Sequence, residues 1–145
     1  MTRLIGKDMK SYFKEVRVRT RLRVEFRNIT GEVRKAVDES RVRSGIVTVY
    51  TPHTTTAIFV NEDEPGLKRD LKTILDNLVP ERGDYEHDHV DYNAFAHLRS
   101  VIVNPSVTIP IEDGKIMVGI WQSIFLAEFD GPRERSVYIQ VLGVG

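Results

Sequence analysis

Residues 12–27 read YFKEVRVRTRLRVEFR, a stretch in which apolar and charged side chains alternate. The apolar side chains fall on even positions: Val16, Val18, Leu22, Val24 and Phe26. Because successive side chains of a strand point to opposite faces of a sheet, this period of two predicts one long half-buried strand or a hairpin of two strands. The fold is therefore expected to be organised around a β-sheet with one apolar face.

A first helix is predicted immediately after this stretch. Val33, Ala36 and Val37 have helical spacing, and the hydroxyl of Thr30 can accept a hydrogen bond from the first helical turn. We expect Thr30 to be the N-cap of this helix, and we expect the helix to end near Gly45, because glycine is common just beyond a helix C-terminus.

The second predicted helix has the clearest pattern in the chain. Its apolar residues recur at helical spacing along one face: Leu67, Leu71, Ile74, Leu75 and Leu78. Pro65 lies near its start, where a missing backbone N–H is tolerated, and Pro80 ends it. This stripe predicts an amphipathic helix.

The other elements are shorter. Residues 46–50 and 57–60 predict strands, and the link between them contains Pro52, which cannot donate to a strand ladder. Residues 94–102 predict a short helix. The rest alternates β-rich runs (106–111, 115–125, 136–142) with turn signals at 112–114 and 131–132, which predicts an antiparallel meander. We therefore expect an α+β fold over residues 1–145, in which a single compact domain carries two main helices on an antiparallel sheet or sandwich.

The composition argues against several functional classes. Lysine plus arginine and aspartate plus glutamate each total 21, so the formal net charge is zero and nucleic-acid binding through bulk electrostatics gains no support. The basic residues of 17–23 alternate with uncharged ones, which is typical of the solvent face of a strand. The chain has no cysteine and no apolar run near the roughly 20 residues of a membrane span, so we expect a cytoplasmic protein without disulfides or a membrane anchor.

All four histidines lie in the middle third of the chain: His53, His87, His89 and His97. Carboxylates crowd the same region, at 62–64 and within the polar segment 81–93, ERGDYEHDHVDYN. Neutral imidazole and carboxylate suit zinc and similar divalent ions, so this combination is a candidate metal site. The alternatives are a solvated surface loop and, for His97, a core histidine whose hydrogen bonds are satisfied within the fold.

Two further segments are candidates for binding. His53 lies in the threonine-rich run TPHTTTA (51–57), whose hydroxyls can bind phosphate or carboxylate or satisfy the backbone of the turn itself. Residues 119–122 read GIWQ, in which glycine permits close approach and Trp121 and Gln122 offer donor groups. Trp121 could equally be an ordinary core or interface residue. The chain contains no G-x-S-x-G, H-E-x-x-H or G-x-G-x-x-G motif. It therefore lacks the signatures of serine hydrolases, zincins and dinucleotide-binding proteins.

Several of these segments together carry a family resemblance. The blocks are Thr51-Pro52-His53-Thr54-Thr55 with Asn61-Glu62, Asn93-x-x-x-His97, Pro105-Ser106-x-Thr108-x-Pro110, Gly119-x-Trp121-Gln122, and Glu128-Phe129-Asp130-Gly131-Pro132-Arg133. In this order and spacing they resemble the YjbQ-like family. The resemblance implies a small α+β fold, a homotrimer and the activity of a secondary thiamine-phosphate synthase. That reaction joins an aminopyrimidine diphosphate to a thiazole phosphate with loss of pyrophosphate.

The resemblance implies most of the residues of a site that would bind a phosphorylated small molecule, and Thr54, Thr55 and Arg133 are added as donors and a positive charge for the phosphate. The metal ligands would be His53, His87 and His97, holding a divalent ion such as zinc or magnesium, or holding the phosphate directly. The catalytic residues would be Glu62, Glu128 and His97. The substrate-binding residues would be Thr54, Thr55, Asn61, Asn93, Trp121, Gln122 and Arg133. No organic cofactor is expected, and His89 is left unassigned.

Two positions depart from the family pattern. The family usually has aspartate where this chain has Phe95 and threonine where it has Ile120, so a carboxylate and a hydroxyl are missing near the expected site. The alternative to an enzyme is a non-catalytic trimeric protein that stores or senses a metal or an anion at the same histidines. A third possibility is a purely structural or interaction protein, in which histidine substitutions would change stability alone.

Overall fold

Two antiparallel sheets frame the part of the chain that the computed structural model describes, which is residues 8–145 and the strand at 2–5. The strands are β1 (Thr2–Ile5), β2 (Met9–Arg19), β3 (Glu25–Asn28), β4 (Ser44–Tyr50), β5 (Thr56–Asn61), β6 (Ser106–Glu112), β7 (Lys115–Ile116), β8 (Ser123–Glu128) and β9 (Glu134–Val144). The helices are α1 (Thr30–Ser40), α2 (Pro65–Leu78) and α3 (Ala94–Val103), with a 3₁₀ turn at Glu86–His89. The larger sheet has the order β1-β2-β9-β4-β6-β7 and the smaller one β3-β8-β5, which confirms the predicted α+β class.

The smaller sheet is the middle layer of the molecule, because its central strand β8 is buried on both faces. Ile124 and Leu126 enter the core shared with the larger sheet and α1. Ala127 points the other way, into a second core with Leu75 of α2 and Phe95 of α3. Each fully buried large apolar side chain contributes about 1.5–3 kcal/mol relative to exposure. Burial on both sides therefore fixes β8 and the segments at its two ends.

The stretch 12–27 is neither one strand nor a hairpin, so both expectations are wrong. Its first part belongs to β2, which pairs with β9 in the larger sheet, and its last part is β3, which pairs with β8 in the smaller sheet. Between them the chain crosses from one sheet to the other, and Leu22 is exposed there. The alternating pattern is the same in both sheets, so periodicity alone could not reveal the crossing.

The first helix differs from its prediction at both ends. Its N-cap is Ile29, and Thr30 instead donates its hydroxyl to Asn28 Oδ1 (2.7 Å) and accepts from the backbone N–H of Ile124 (2.8 Å). The helix ends at Ser40, followed by Arg41 in the left-handed region with φ 64°. Gly45 lies inside β4, where a Cβ would collide with the backbone of a neighbouring strand.

The second helix begins at Pro65 and ends at Leu78, as its pattern predicts. Its N-cap is Glu64, whose carboxylate accepts from the backbone N–H groups of Gly66 (2.7 Å) and Leu67 (2.8 Å). The apolar stripe is only partly buried, since Leu75 lies in the core while Leu67, Ile74 and Leu78 are exposed. Among the described residues, no helix is long and apolar enough to cross a membrane.

The C-terminal strands do not form a simple meander, which corrects that prediction. Residues 115–125 are interrupted: Lys115–Ile116 closes a hairpin with β6 in the larger sheet, and the chain then changes sheets before β8. β9 returns to the larger sheet and lies between β2 and β4. The interruption is the loop that carries Trp121 and Gln122. It therefore projects from the end of β8 opposite to Glu128.

Candidate functional site

The candidate site lies at the C-terminal end of β8, where several links between strands and helices meet. Thr56 of β5 and Glu25 of β3 both lie beside Glu128, the last residue of β8. The link after β8 is held by a backbone hydrogen bond from Phe129 N–H to the carbonyl of Thr55 (3.1 Å). The strand register thus brings together segments that are far apart in sequence.

A buried ion pair between Glu128 and Arg135 forms the base of the site. Glu128 is fully buried, and Arg135 is 4% exposed. Glu128 Oε1 accepts from Thr20 Oγ1 (2.7 Å) and Arg135 Nε (2.8 Å), and Oε2 accepts from Arg135 Nη2 and the backbone N–H of Asp130. Arg135 also donates to the hydroxyl of Thr55 (2.9 Å). Four hydrogen bonds occupy this carboxylate, as the burial of a charge requires.

His53 is half-buried directly beside this ion pair. Its Nε2 accepts a hydrogen bond from the backbone N–H of Ser136 (2.9 Å), at the start of β9. Burial lowers the pKa of His53, and the positive charges of Arg135 and Arg133 lower it further, against an opposing effect of Glu128. His53 is therefore held as a neutral imidazole at neutral pH.

A second set of polar side chains continues from Asp130. Asn93 Nδ2 donates to Asp130 Oδ2 (2.9 Å), and Asn93 Oδ1 lies 3.1 Å from Nε2 of His87. The ring of His87 meets the ring of His97 edge to face, with centroids 4.7 Å apart. Arg133 lies against the same carboxylate, with Nη2 at 3.3 Å from Oδ2. His53 is thus joined to the ion pair through the backbone of Ser136, the residue next to Arg135, and the hydrogen bonds of Glu128, Asp130 and Asn93 continue to His87. His97 is reached only by its ring contact with His87.

Two open clefts flank the segment 81–93. One, of about 460 Å³, is lined by Asp84, Tyr85, Glu86, His87, Ala94, His97 and Leu98. The other, of about 580 Å³, is lined by Arg23, Glu81, Arg82, Gly83, Asp88 and Tyr92. The first cleft gives solvent access to both histidines of the pair. His89 is exposed and lines neither cleft.

The predicted site residues fall into two groups at opposite ends of β8. Most of them lie at the end just described, namely His53, Thr55, His87, Asn93, His97, Glu128 and Arg133. The exposed Thr54 follows His53. Asn61 and Glu62 lie at the other end, where Asn61 pairs with Ser123, together with Trp121 and Gln122. Ser123 and Glu128 are five residue steps apart along β8, which is roughly 17 Å at 3.3–3.4 Å per residue.

The group at the far end is exposed. The side chain of Trp121 is 72% exposed and that of Ile120 is 90% exposed. Gln122 does not face the histidines; its Oε1 accepts from the backbone N–H of Gly119 (2.8 Å) and closes the loop on itself. One copy of the chain therefore does not bring the GIWQ segment to the histidine cluster.

Three important residues escaped the sequence reasoning. Asp130 belongs to one of the family blocks but has no predicted role, although it links Asn93 to the cluster and pairs with Arg23 Nη1 (3.0 Å). The sequence does not predict a role for Arg135, because no spacing rule joins it to Glu128. Arg23 lies in a strand-like run, and its guanidinium carbon stands 5.1 Å from the ring centroid of Phe95. The aromatic ring at position 95 thus packs beneath an arginine.

The three histidines proposed as metal ligands do not form one set in this arrangement. Nε2 of His53 is engaged by the backbone of Ser136, while His87 and His97 meet each other. Within residues 8–145, no group of three or more histidine, aspartate or glutamate side chains is placed to hold a metal ion. A catalytic zinc site usually has three protein ligands. These residues as placed therefore do not fit such a site, and we assign no chemical step to a metal.

The comparisons with known proteins agree with the fold. Residues 14–144 match the family model described as UPF0047 protein YjbQ-like. A UPF0047 protein of Archaeoglobus fulgidus is 45% identical, with 88% of this chain and 99% of that protein covered. The UPF0047 protein YugU of Bacillus subtilis is 37% identical over 90% of this chain and 98% of its own. The crystal structure of a YbjQ-like protein of unknown function from Sulfolobus solfataricus superposes with a TM-score of 0.92 at 37% identity, covering 93% and 99% of the two chains.

Proposed function

This chain belongs to the YjbQ-like UPF0047 family, and from the geometry of its site we propose that it is an enzyme acting on a phosphorylated small molecule. The observation that carries the proposal is the polar network that runs from the backbone contact of His53, through Glu128, Asp130 and Asn93, to His87, whose ring meets that of His97. Burying charged and polar groups costs free energy, and such clusters with perturbed pKa values are common at active sites. Here the network ends at an open cleft, where its imidazoles can meet a ligand.

The cationic and donor groups suit a phosphate. The Arg133 side chain remains 55% exposed although it pairs with Asp130, so it can approach an anion from solvent. His53 and the exposed hydroxyl of Thr54 add neutral donors beside it. Hydrogen bonds from charged donors to phosphate oxygens are among the stronger polar contacts in proteins. We assign phosphate binding to Arg133, with His53 and Thr54 as the neighbouring donors.

Proton transfer is assigned to the histidine pair. His97 is half-buried, and no hydrogen bond to its ring occurs within residues 8–145, so its nitrogens are available to a ligand. The sequence predicts a catalytic role for Glu128, but all its hydrogen-bonding capacity is used by Thr20, Arg135 and the backbone of Asp130. We therefore propose that Glu128 holds Arg135 and the start of β9 in place, so that Ser136 can fix His53.

The specific reaction proposed is the one that the family resemblance implies. A ring nitrogen of the thiazole phosphate attacks the methylene carbon of the aminopyrimidine diphosphate, the carbon–oxygen bond breaks, and pyrophosphate leaves with the bonding electrons. Catalysis would then depend on holding the two substrates together and on stabilising the negative charge of the leaving group. The cations near His53 suit the second task.

We further propose a homotrimer in which a neighbouring copy brings Glu62, Asn61, Trp121 and Gln122 to the site. The support is the exposure of Trp121 and Ile120, which is unfavourable in a free monomer. A catalytic role of Glu62 depends on this arrangement, because within one chain it lies at the opposite end of β8. Molar mass from light scattering at micromolar concentration tests it, and a monomer would contradict it.

The enzymatic proposal is tested by turnover of the two thiamine precursors, followed by release of pyrophosphate. We expect product with the wild type, a loss of at least tenfold with His97→Ala, and wild-type rates with His89→Ala. His89 is the matched control because it lies in the same segment, is exposed and lines neither cleft. Product formation no faster than in His97→Ala would remove this reaction, and a panel of other phosphorylated compounds would then test the broader proposal.

The second candidate is a non-catalytic anion-binding protein. It is favoured by the two arginines, Arg23 and Arg133, that stay partly exposed around Asp130. Calorimetric titration with pyrophosphate separates the two functions. Binding by the wild type and by His97→Ala alike, with no turnover of any phosphorylated compound tried, would favour the binding protein.

A further inference from the structure

Asn93 is held in a fixed orientation between Asp130 and His87. Asp130 and Asn93 are 7% and 8% exposed. Arg23 and Arg133 both donate to the carboxylate of Asp130. An ionised carboxylate can only accept hydrogen bonds. Asn93 must therefore turn its amide nitrogen toward Asp130 (2.9 Å) and its carbonyl oxygen toward His87.

The orientation of the Asn93 amide selects the tautomer of His87. The carbonyl oxygen of Asn93 lies 3.1 Å from Nε2 of His87 and can only accept, so Nε2 carries the proton. In a neutral imidazole the other ring nitrogen, Nδ1, then holds the lone pair. His87 lines the cleft of about 460 Å³, so this lone pair belongs to a ring that a ligand can reach.

His53 is fixed in the opposite tautomer. The backbone N–H of Ser136 donates to Nε2 of His53 (2.9 Å), so Nε2 holds the lone pair and Nδ1 carries the proton. The two histidines therefore present opposite groups at the same ring position. Nδ1 of His53 is a hydrogen-bond donor, and Nδ1 of His87 is a hydrogen-bond acceptor.

We propose that Asp130 is a positioning residue, which acts through Asn93 to hold His87 in its Nε2–H tautomer and so presents Nδ1 to the substrate as a hydrogen-bond acceptor. This inference deepens the proposed function and rests on it for the role of the ligand. A substrate that uses both histidines would carry an O–H or N–H group toward His87. It would carry an acceptor, such as a phosphate oxygen, toward His53.

The test is a nitrogen-15 spectrum of protein labelled in histidine, which distinguishes the two neutral tautomers of each ring. The spectra are recorded without substrate, near pH 8, well above the ordinary imidazole pKa of about 6.5. The signals of His87 and His53 are assigned from His87→Gln and His53→Gln. In the wild type we expect His87 to carry its proton on Nε2 and His53 on Nδ1.

Asp130→Asn is expected to reverse the tautomer of His87 alone. Arg23, which lies 3.0 Å from Oδ1, will hold the oxygen of the new amide, so the NH₂ group replaces Oδ2 and donates to the oxygen of Asn93. Arg133 gives up its longer contact of 3.3 Å with Oδ2 and keeps its hydrogen bond to the carbonyl of residue 130. Asn93 then presents its own NH₂ to His87, whose proton moves to Nδ1. His53 should be unchanged, and Asp91→Asn, which alters an exposed carboxylate of the same segment, should leave both histidines unchanged.

Two results would overturn the proposal: a wild-type His87 protonated on Nδ1, or the same Nε2–H tautomer in the wild type and in Asp130→Asn. If Asp130→Asn does not fold, Asn93→Leu replaces it, and there the Nε2–H preference should give way to a mixture. An unchanged preference in Asn93→Leu contradicts the proposal equally. Because no substrate is present, these outcomes are independent of whether the enzyme acts on the compounds proposed above.

Discussion

Replacing Glu128 by glutamine is predicted to lower the free energy of unfolding by about 3–5 kcal/mol, the usual cost of breaking a buried ion pair on one side. Glutamine has almost the same shape, so no large cavity forms. The loss arises because Arg135, which is only 4% exposed, keeps its charge without a counter-charge. In addition, the amide NH₂ of glutamine cannot accept the hydrogen bonds that one carboxylate oxygen now accepts.

The assay is denaturant unfolding followed by circular dichroism, with all variants at one protein concentration because association would add to the apparent stability. Glu134→Gln is the matched control, since its ion pair with Arg17 lies on the surface, where such pairs contribute about 0–1 kcal/mol. The double variant Glu128→Gln with Arg135→Gln should lose clearly less than the sum of the two single losses. A loss below about 1 kcal/mol for Glu128→Gln would refute the reasoning from burial.

Three further predictions concern the cap of α2, the acid side of the stability curve and metal binding. Glu64→Ala removes the acceptor for the first turn of α2, so thermal unfolding should show a loss of about 0.5–2 kcal/mol, whereas Glu62→Ala, which removes a carboxylate that takes no part in the cap, should be near zero. Because the pKa of His53 is lowered in the folded state, the stability that it contributes is complete above about pH 6.5 and is lost as the pH falls below that value. In His53→Gln, the free energy of unfolding should depend less on pH in this range. An unchanged pH dependence would contradict a lowered pKa of His53 in the folded state. Neither zinc nor magnesium should copurify in stoichiometric amount, measured by plasma mass spectrometry, because Nε2 of His53 is already engaged and no three ligands converge within residues 8–145. A stoichiometric metal that is lost in both His53→Ala and His97→Ala would show that the histidines converge on one ion.

The predictable parts of the fold are those that depend on local pattern. The boundaries of α2 follow from Pro65, Pro80 and the spacing of its leucines, and β4 and β5 follow from short β-rich runs. What periodicity could not supply is partner choice. β2 and β3 share one alternating pattern but belong to different sheets. A period of two shows which side chains face the core, but it does not show which strand pairs with which.

The candidate site shows the same division. Residue types and blocks identified His53, Asn93 and His97 as functional candidates, and the structure places them within one polar network or against its histidine pair. The pairing of Glu128 with Arg135 could not be predicted, because it requires knowing that β8 and β9 belong to different sheets and that their connection folds back beneath the site.

The GIWQ segment lies too far from the histidines of its own chain to share a site with them, so its proposed role in substrate binding requires an oligomer. Trp121 lies beyond the start of β8 and Glu128 at its end, so a rigid, doubly buried strand keeps them apart within one chain. Bringing them together by rearrangement would expose the cores on both faces of β8, at about 1.5–3 kcal/mol for each large apolar side chain. A contact between copies avoids this cost and covers Ile120 and Trp121, which are 90% and 72% exposed. A role of Trp121 and Gln122 in substrate binding therefore requires that they complete the site formed by the histidines of a neighbouring copy.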